Sequence, residues 1–256
     1  MTDALARSGE RRRAALVTGG AKRIGRAICL ELAAAGFDLA IHHRESGEEA
    51  ARLADEIRAL GRQAVCMSAD LADAEATRAL IGRAVEALGP LSVLVNNASV
   101  FADDRLDSLT GESWAAHMDV NLRAPVMMTQ AFAAQAPDGS AVINILDQRV
   151  LKPDPRFFSY DLSKSALWSA TRTMAQALAP RIRVNGVGPG PTLPSVHQAA
   201  GEFEAEARAT PLQRAGSPEA IADAVRWLVD AGQVTGQMIA VDGGQHLAWR
   251  TPDIVE

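Results

Sequence analysis

Short apolar runs alternate with amphipathic helical patterns along nearly the whole chain, and this alternation limits the fold more than any other feature of the sequence. Strands that alternate with helices in this way build βαβ units, whose parallel sheet carries helices on both faces. We therefore predict an α/β fold with a doubly wound parallel sheet that binds its ligands at the carboxyl ends of the strands. The predicted strands are 14–18, 38–42, 65–68, 91–96, 141–146, 182–187 and 238–241, and the predicted helices are 24–35, 47–60, 74–88, 114–134, 159–179 and 218–230.

The length and the breaks in this pattern predict one domain preceded by a short tail. A chain of 256 residues can bury a full core as one α/β domain. Residues 1–13 are charged and have no apolar run, so we predict a disordered N-terminal tail before a single domain of residues 14–256. Within that domain the alternation fails at 188–210, where GPGPTLPSVHQ precedes a short acidic helix. We predict a substrate flap there, over the ligand-binding edge of the sheet.

Charge and composition argue against several classes of function. The 26 basic and 31 acidic residues are mixed along the chain and leave a net charge of −5, which favours neither nucleic acid nor a membrane as a partner. No apolar stretch suits a signal peptide or a membrane span, and Cys29 and Cys66 stand singly in apolar runs. We expect a cytoplasmic protein with a small-molecule substrate. The histidines and cysteines lack metal-ligand spacing, so we expect no metal.

Two turns that follow predicted strands indicate a dinucleotide site. The first, TGGAKRIG at 18–25, places glycines where a chain can approach a pyrophosphate, although Arg23 stands where a glycine is common. An ordinary glycine turn is the alternative. The second turn carries His42, His43 and Arg44 where a site that prefers NAD has an acidic residue. With Arg23 at the same sheet edge, this cationic turn favours the 2′-phosphate of NADP over a solvated basic loop.

A Tyr-x-x-x-Lys spacing joins Tyr160, the only tyrosine of the chain, to Lys164. Residues four apart share one face of a helix, so the phenol and the ammonium can face one cleft. A nearby cation favours the phenolate, and we therefore expect Lys164 to lower the pKa of Tyr160 and make it a usable acid. Asp147 lies thirteen residues before the tyrosine, at the end of a predicted strand.

The segment NNASVF follows the strand predicted at 91–96 and would lie at the same edge of the sheet. Its asparagines can brace the backbone there. Phe101 leaves the strand at the ligand edge, where either core packing or a flat ligand could cover its ring, and the spacing does not choose between them. Asn121 lies in a long predicted helix that faces this edge.

An ordered set of short motifs spans the chain. It comprises TGGAKRIG, the ADL that contains Asp70, NNAS, Asn121, Tyr160-x-x-x-Lys164, Pro189-Gly190 and a late VDGG. In this order the motifs resemble the short-chain dehydrogenase/reductase family over essentially the whole chain after residue 13. The resemblance implies a Rossmann-like, doubly wound, seven-stranded parallel sheet, an oxidoreductase activity and a homotetramer.

The resemblance also implies roles for individual residues. Lys164 would hold the nicotinamide ribose and lower the pKa of Tyr160, and Asn121 would position a water behind Lys164. The expected contacts of NADPH or NADP+ include Gly19 and Gly25 at the pyrophosphate, Asp70 at the adenine with Leu71, Asn97 and Ala98 at the ribose, and Pro189 and Gly190 at the nicotinamide. The other expected cofactor contacts are Arg23, Ile24, His42, His43, Arg44, Ser99, Tyr160 and Lys164.

Asp147 departs from the family pattern. Most members have a serine there, which binds a substrate carbonyl, whereas a carboxylate opposes negative charge growing on an oxygen and suits a ketone poorly. A carboxylate can instead accept hydrogen bonds from, or relay protons to, a nitrogen heterocycle. Together with TGGAKRIG, the His-Arg pair and NNASVF, Asp147 makes the chain resemble the pteridine reductase and dihydromonapterin reductase branch. The expected catalytic residues are then Asn121, Asp147, Tyr160 and Lys164, and the expected substrate contacts are Arg23, Ser99, Phe101, Asp147 and Tyr160, with Phe101 stacking the pterin against the nicotinamide.

The function expected from these residues is NADPH-dependent reduction of a pteridine-like substrate, of dihydropterin or dihydrofolate type, with Tyr160 as the proton donor. Two alternatives stay open. A carbonyl reductase acting on a 3-oxoacyl group or another ketone would have to tolerate Asp147 in its protonated form. A dinucleotide-binding regulator without turnover would have no use for the intact set of Asn121, Tyr160 and Lys164.

Overall fold

The computed structural model describes residues 13–194 and 201–249. The strands are β1 (Arg13–Val17), β2 (Phe37–His43), β3 (Ala64–Ser68), β4 (Leu91–Asn96), β5 (Ser140–Ile145), β6 (Ile182–Pro189) and β7 (Met238–Val241). Within the described ranges these seven strands form one sheet in the order β3-β2-β1-β4-β5-β6-β7, and every neighbouring pair is parallel. The predicted doubly wound parallel sheet is therefore confirmed.

Helices cover both faces of the sheet. They are α1 (Arg23–Ala34), α2 (Gly47–Ala59), α3 (Ala74–Leu88), α4 (Gly111–Met118), α5 (Ala124–Gln135), α6 (Phe158–Leu178), α7 (Glu202–Ala209) and α8 (Pro218–Asp230). Helices α1, α2 and α8 pack on one face, and α3, α5 and α6 pack on the other. Successive strand residues point to opposite faces, so Ala15 and Val17 join the first apolar layer while Ala14 and Leu16 join the second.

The long helix predicted at 114–134 is interrupted. Helix α4 ends at Met118, a π-helical turn covers Asp119–Arg123, and α5 begins at Ala124. Pro125, in the first turn of α5, has no N–H to donate to the carbonyl of Asn121 four residues earlier. The regular α-helical hydrogen bonding is therefore interrupted here, and the chain forms a π-helical turn instead. Asn121 lies in that turn and is fully buried.

Two predicted segment boundaries are wrong. Arg13 was expected in the tail, but it pairs with β2 as the first residue of β1, whereas 1–12 lie outside the described residues. The flap was expected from residue 188, but residues 188–189 pair with β7 as the end of β6, so the irregular segment begins at Gly190. The short acidic helix expected in that segment is α7, and 195–200 lie outside the described residues.

Two further properties concern only the described ranges. No helix in them is both long and apolar enough to cross a membrane. Nor do three or more of their His, Cys, Asp or Glu side chains gather into a group that could hold a metal ion.

Candidate active site

A cavity of about 450 Å³ opens beside the carboxyl ends of β4, β5 and β6. Parallel sheets bind their ligands at this edge. The expected site residues that line the cavity are Arg23, Ile24, Asn97, Ser99, Phe101, Asp147, Tyr160, Lys164, Pro189 and Gly190. Those that lie outside its wall are Gly19, Gly25, His42, His43, Arg44, Asp70, Leu71, Ala98 and Asn121.

Tyr160 and Lys164 lie one turn apart on α6 and face the end of β5. The Tyr160 hydroxyl donates a hydrogen bond of 2.7 Å to Asp147 Oδ2. Lys164 Nζ donates one of 2.9 Å to the carbonyl of Ile145. Both α6 side chains are buried, and burial lowers the pKa of Lys164 from its ordinary 10.5 to about 8. The structure thus brings the buried phenol and ammonium together with the carboxylate of Asp147, whose side chain is 14% exposed.

The pKa of Tyr160 is raised well above its ordinary value, which is the opposite of the net lowering expected from Lys164. Burial is the main cause, followed by the charge of Asp147 and the hydrogen bond to it. Lys164 does not outweigh these effects; its ammonium is turned to the Ile145 carbonyl, and Nζ lies 5.7 Å from the centre of the phenol ring. The guanidinium of Arg149 acts in the other direction and lowers the pKa of Tyr160.

The Asn121 side chain ties the loop after β4 to α6. Its Oδ1 accepts hydrogen bonds from the N–H of Val100 (2.8 Å) and from Ser99 Oγ (3.1 Å). Its Nδ2 donates to the carbonyl of Val100 (2.9 Å) and to Ser163 Oγ (3.1 Å). These bonds use both donors and both lone pairs of the amide. The side chain of Asn121 therefore has no hydrogen-bonding group left for a water. If Asn121 positions a water behind Lys164, as expected, it would do so through its main chain.

The ring of Phe101 is half-buried and forms part of the cavity wall. It stacks on Phe157, with ring centres 4.6 Å apart and an interplanar angle of 24°. It also meets Tyr160 edge to face, with ring centres 4.7 Å apart. Phe101 belongs to neither apolar layer of the sheet, so it packs in an aromatic group at the cavity rather than in the main core.

The turn between β1 and α1 suits a phosphate. Gly19 has φ +60°, in the left-handed region that favours glycine, and a Cβ on Gly25 would lie 2.1 Å from the carbonyl oxygen of Gly19. The N-cap residue of α1, Lys22, makes no side-chain capping hydrogen bond, and the first turn holds no acidic residue. The opening N–H groups of α1 therefore fit the pyrophosphate of a dinucleotide.

The loop after β4 is fastened to this turn. The backbone N–H groups of Asn97 and Ala98 both donate to Thr18 Oγ1 at 2.9 Å. Asn97 Nδ2 also donates to the carbonyls of Thr18 (2.8 Å) and Gly19 (3.1 Å). The predicted bracing role of an asparagine in this loop is therefore seen at Asn97.

Arg23 has φ +53°, the left-handed conformation that explains why a glycine is common at this place. For a residue with a Cβ that conformation costs roughly 1–2 kcal/mol. The guanidinium donates to the carbonyls of Leu193 (3.3 Å) and Pro194 (3.0 Å) and lines the cavity. The expectation that Arg23 joins Arg44 around one phosphate is therefore wrong in this structure, because the segment after β6 holds its side chain elsewhere.

His42 is not a cation of the adenosine edge. Its Nδ1 accepts from the N–H of Gly19 and its Nε2 donates to the carbonyl of Ala69, both at 3.1 Å. Burial lowers the pKa of His42 to about 4, so the ring is neutral near pH 7. Arg44 is exposed, with its Nε 3.2 Å from the Glu45 carboxylate. Of the two arginines expected at this edge, Arg44 is therefore the one a phosphate can reach.

The other residues expected at the adenosine end have mixed surroundings. Asp70 is exposed and accepts a hydrogen bond of 2.9 Å from the N–H of Ala72. Leu71 is buried in the apolar layer beneath it. His43 is half-buried at the end of β2.

Sequence reasoning missed two residues at or beside the cavity: Arg149 lines it, and Phe157 packs behind Phe101. Arg149 lies 3.5 Å from Asp147 Oδ2 through its guanidinium, and Phe157 stacks on Phe101. Neither belongs to a recognisable motif. The available signal was local: Arg149 lies two residues after Asp147, and Phe157 lies three before Tyr160, so both flank the key side chains.

A buried network that sequence reasoning also missed anchors the start of α6. Asp104 Oδ1 accepts from the N–H of Ser159 at 2.9 Å, and Ser159 Oγ donates to Asp104 Oδ2. Ser159 Oγ also lies 2.6 Å from Nδ1 of His117, whose Nε2 accepts from the N–H of Ala102. The network links the chain just after Phe101 to the first turn of the helix that carries Tyr160.

Comparisons with known proteins find relatives that cover nearly the whole chain. The family model described as enoyl-(acyl carrier protein) reductase matches residues 19–246. The 3-oxoacyl-[acyl-carrier-protein] reductase FabG of Staphylococcus aureus is 33% identical over 242 residues, which are 92% of this chain and 98% of FabG.

Two solved structures have the same fold. The FolM alternative dihydrofolate reductase 1 of Brucella canis, complexed with NADP, is 48% identical with a TM-score of 0.92, over 95% of this chain and 97% of that one. A short chain dehydrogenase of Burkholderia cenocepacia, in complex with NADP, is 37% identical with a TM-score of 0.87, over 91% and 97% of the two chains. This chain belongs to the short-chain dehydrogenase/reductase family.

Proposed function

We propose that the protein is an NADPH-dependent reductase of pteridine-like substrates, of dihydropterin or dihydrofolate type, with Tyr160 as the proton donor. The coarser statement, an oxidoreductase of this family that uses NADP(H), follows from family membership and from the NADP-bound structures it resembles. The single observation that carries the finer proposal is the hydrogen bond of 2.7 Å from the Tyr160 hydroxyl to Asp147.

The Asp147 carboxylate favours a nitrogen heterocycle over a ketone. In ketone reduction negative charge grows on an oxygen, which needs neutral donors around it and is repelled by a carboxylate. A ring nitrogen needs only a proton, and an adjacent carboxylate can accept ring N–H groups or pass a proton to Tyr160. The likeness to FolM at 48% identity supports the same choice.

The chain's own residues divide the work in this proposal. NADPH, when bound, supplies the hydride. The first turn of α1, with Gly19 and Gly25, would hold its pyrophosphate, and Arg44 would hold its 2′-phosphate. Phe101 would present a flat ring to the substrate, and Tyr160 would deliver the proton to a ring nitrogen.

A carbonyl reductase is the second candidate, and the likeness to FabG at 33% identity favours it. A binding protein without turnover is less consistent with the group of Tyr160, Lys164 and Asp147, since burying the first two side chains and most of the third costs stability that binding alone does not need.

We also propose a cytoplasmic homotetramer. Trp114 on α4, Val126 on α5 and Leu162 on α6 are exposed by 37–40%, so these neighbouring helices carry apolar surface that further copies of the chain would cover. Sedimentation analysis of the purified protein tests this assembly, and a monomer at all concentrations would contradict it.

Asp147→Ser tests the proposed substrate class. Pterin reduction should fall about 10²-fold, the lower end of the range for general acid catalysis, because the variant loses the carboxylate partner of Tyr160. Steady-state rates of NADPH oxidation with dihydropterins, dihydrofolate and a panel of ketones measure it, and Asp103→Ser, at an exposed aspartate, is the control. A variant that reduces ketones better, beside a wild type inert to every pterin, would favour the carbonyl reductase instead.

Arg44→Ala tests cofactor choice. The variant should lose NADPH affinity by about 10- to 100-fold and leave NADH affinity unchanged, because one charge-assisted contact to the 2′-phosphate is worth roughly 1.5–3 kcal/mol. Arg23→Ala should leave the ratio of NADPH to NADH affinities near its wild-type value, since the Arg23 side chain is held by Leu193 and Pro194. Fluorescence titration with both cofactors measures the ratios, and a wild type that binds both equally would contradict the prediction.

A further inference from the structure

The guanidinium of Arg149 is enclosed between Asp147 and an aromatic pair. Its side chain is only 17% exposed. The N–H of Arg149 donates to Asp147 Oδ1 at 2.9 Å, and its Nη1 lies 3.5 Å from Oδ2, the oxygen that also accepts from Tyr160. The guanidinium lies over the ring of Phe157 at 4.8 Å and over that of Phe101 at 5.6 Å. One residue thus contacts both oxygens of the carboxylate that holds the Tyr160 hydroxyl.

We propose that Arg149 is a positioning residue for proton delivery, which holds Asp147 in place and supplies the positive charge that offsets the phenolate left on Tyr160. The inference rests on the proposed role of Tyr160 as proton donor, but not on whether the substrate is a pterin. In that step the O–H bond of Tyr160 breaks, an N–H bond forms on a pterin or an O–H bond on a ketone, and the phenolate remains beside Asp147. The accompanying hydride comes from NADPH.

The electrostatics of the group explain why a cation is needed there. Two negative charges, a phenolate and the Asp147 carboxylate, would otherwise stand within hydrogen-bonding distance in a buried site, where charges interact more strongly than in water. The Lys164 ammonium is engaged with the Ile145 carbonyl. Burial and Asp147 both raise the pKa of Tyr160, and Arg149 lowers it.

Other charged groups face Arg149 without replacing it. Burial alone would lower the pKa of Arg149, but the surrounding negative groups, Asp147 foremost, raise it, so the guanidinium stays charged throughout the working range. The charged and titratable groups that act on or beside it are Asp147, Tyr160, Asp161, Glu206, Asp154 and Arg156. Burial raises the pKa of Asp161 to about 6, so its charge changes little above neutrality.

Steady-state kinetics with saturating NADPH and dihydrofolate test the proposal. Arg149→Gln should lower kcat by about tenfold or more with little change in KM, because a positioned acid contributes ~10²–10⁴-fold and only part of that is lost. Arg149→Lys should recover most of the loss. Arg156→Gln is the matched control, since Arg156 also lies over the Phe157 ring, at 5.8 Å, but pairs with Asp154. A raised KM with unchanged kcat would overturn the proposal in favour of a substrate anchor, as would an equal loss in Arg156→Gln.

A titration of the phenol tests the same inference without any substrate. Tyr160 is the only tyrosine, so the near-ultraviolet absorbance of phenolate reports on it alone. Asp147→Asn should lower the pKa of Tyr160, because the charge of Asp147 and the hydrogen bond to it raise that pKa in addition to burial. Adding Arg149→Gln to that variant should move the titration to higher pH, since removal of a positive charge disfavours the phenolate, and Arg149→Lys should not. If Tyr160 titrates at the same pH in Asp147→Asn and in the double variant, the proposed role of Arg149 is overturned, whether or not any pterin is reduced. If the two titrations differ but the protein reduces no pterin, only the proposed substrate is overturned.

Discussion

Tyr160→Phe should abolish reduction while leaving NADPH affinity nearly unchanged. The substitution removes one hydroxyl and keeps the ring, so the edge-to-face contact with Phe101 and the packing of α6 remain. What is lost is the proton donor, and we expect kcat to fall towards the upper end of the ~10²–10⁴-fold range for general acid catalysis. No second tyrosine exists to take over the role. Stopped-flow oxidation of NADPH gives the rate, and fluorescence titration gives the affinity.

The outcome also separates the candidate functions. A binding protein without turnover would show the same properties before and after the substitution. If Tyr160→Phe retained near-normal turnover, the acid role would move to Asp147, the carboxyl that the hydroxyl contacts. A matching loss of NADPH affinity would instead show that the hydroxyl contributes to cofactor binding.

Lys164→Met should abolish turnover and weaken NADPH binding, yet make the folded protein more stable near neutral pH. The ammonium is 2% exposed, and burial lowers its pKa from 10.5 to about 8. A depression from 10.5 to about 8 corresponds to a cost of up to about 3.5 kcal/mol for the charged form, at about 1.4 kcal/mol per pKa unit. Methionine has a similar length and no charge to bury, so the variant avoids that cost.

The pH dependence of this effect has a definite sign. Because the folded-state pKa of Lys164 is below the unfolded value, the unfolded chain binds the proton more readily between about pH 8 and 10.5. The free energy of unfolding of the wild type should therefore rise over this range relative to the variant, and the full cost should be present below pH 8. Urea unfolding of both proteins at several pH values measures the difference.

Lys152→Met is the matched control, because Lys152 is exposed. It should change neither the stability nor its pH dependence appreciably, as is usual for surface substitutions. A Lys164→Met protein no more stable than the wild type at pH 7, or a stability difference that does not shrink towards pH 10.5, would contradict the prediction.

Much of the fold could be predicted because it depends on local patterns. The bounds predicted for β4, α8 and β7 agree with the structure, since turn residues and caps mark their ends; Ser217, for example, accepts from the N–H of Ala220 at the start of α8. The errors occurred where a distant partner intervenes. Strand β6 runs two residues beyond its predicted end at 187, because β7 pairs with residues 188–189.

The candidate site divides in the same way. The sequence alone determined that Tyr160, Lys164, Asp147 and Phe101 would share one edge, because a parallel sheet brings the carboxyl ends of its strands together. Motif order did not determine where charged side chains point. Arg23 turns to carbonyls 170 and 171 residues away, and His42 is buried between Gly19 and Ala69.

The clearest case is the cation beside Tyr160. From spacing, Lys164 was the expected one, since residues four apart share a helix face. Only the tertiary structure turned the Lys164 ammonium to the Ile145 carbonyl and brought Arg149 against Asp147. Periodicity along the chain determines which residues share a face, whereas the charge that a buried group experiences depends on burial and on partners from other elements, which sequence spacing does not encode.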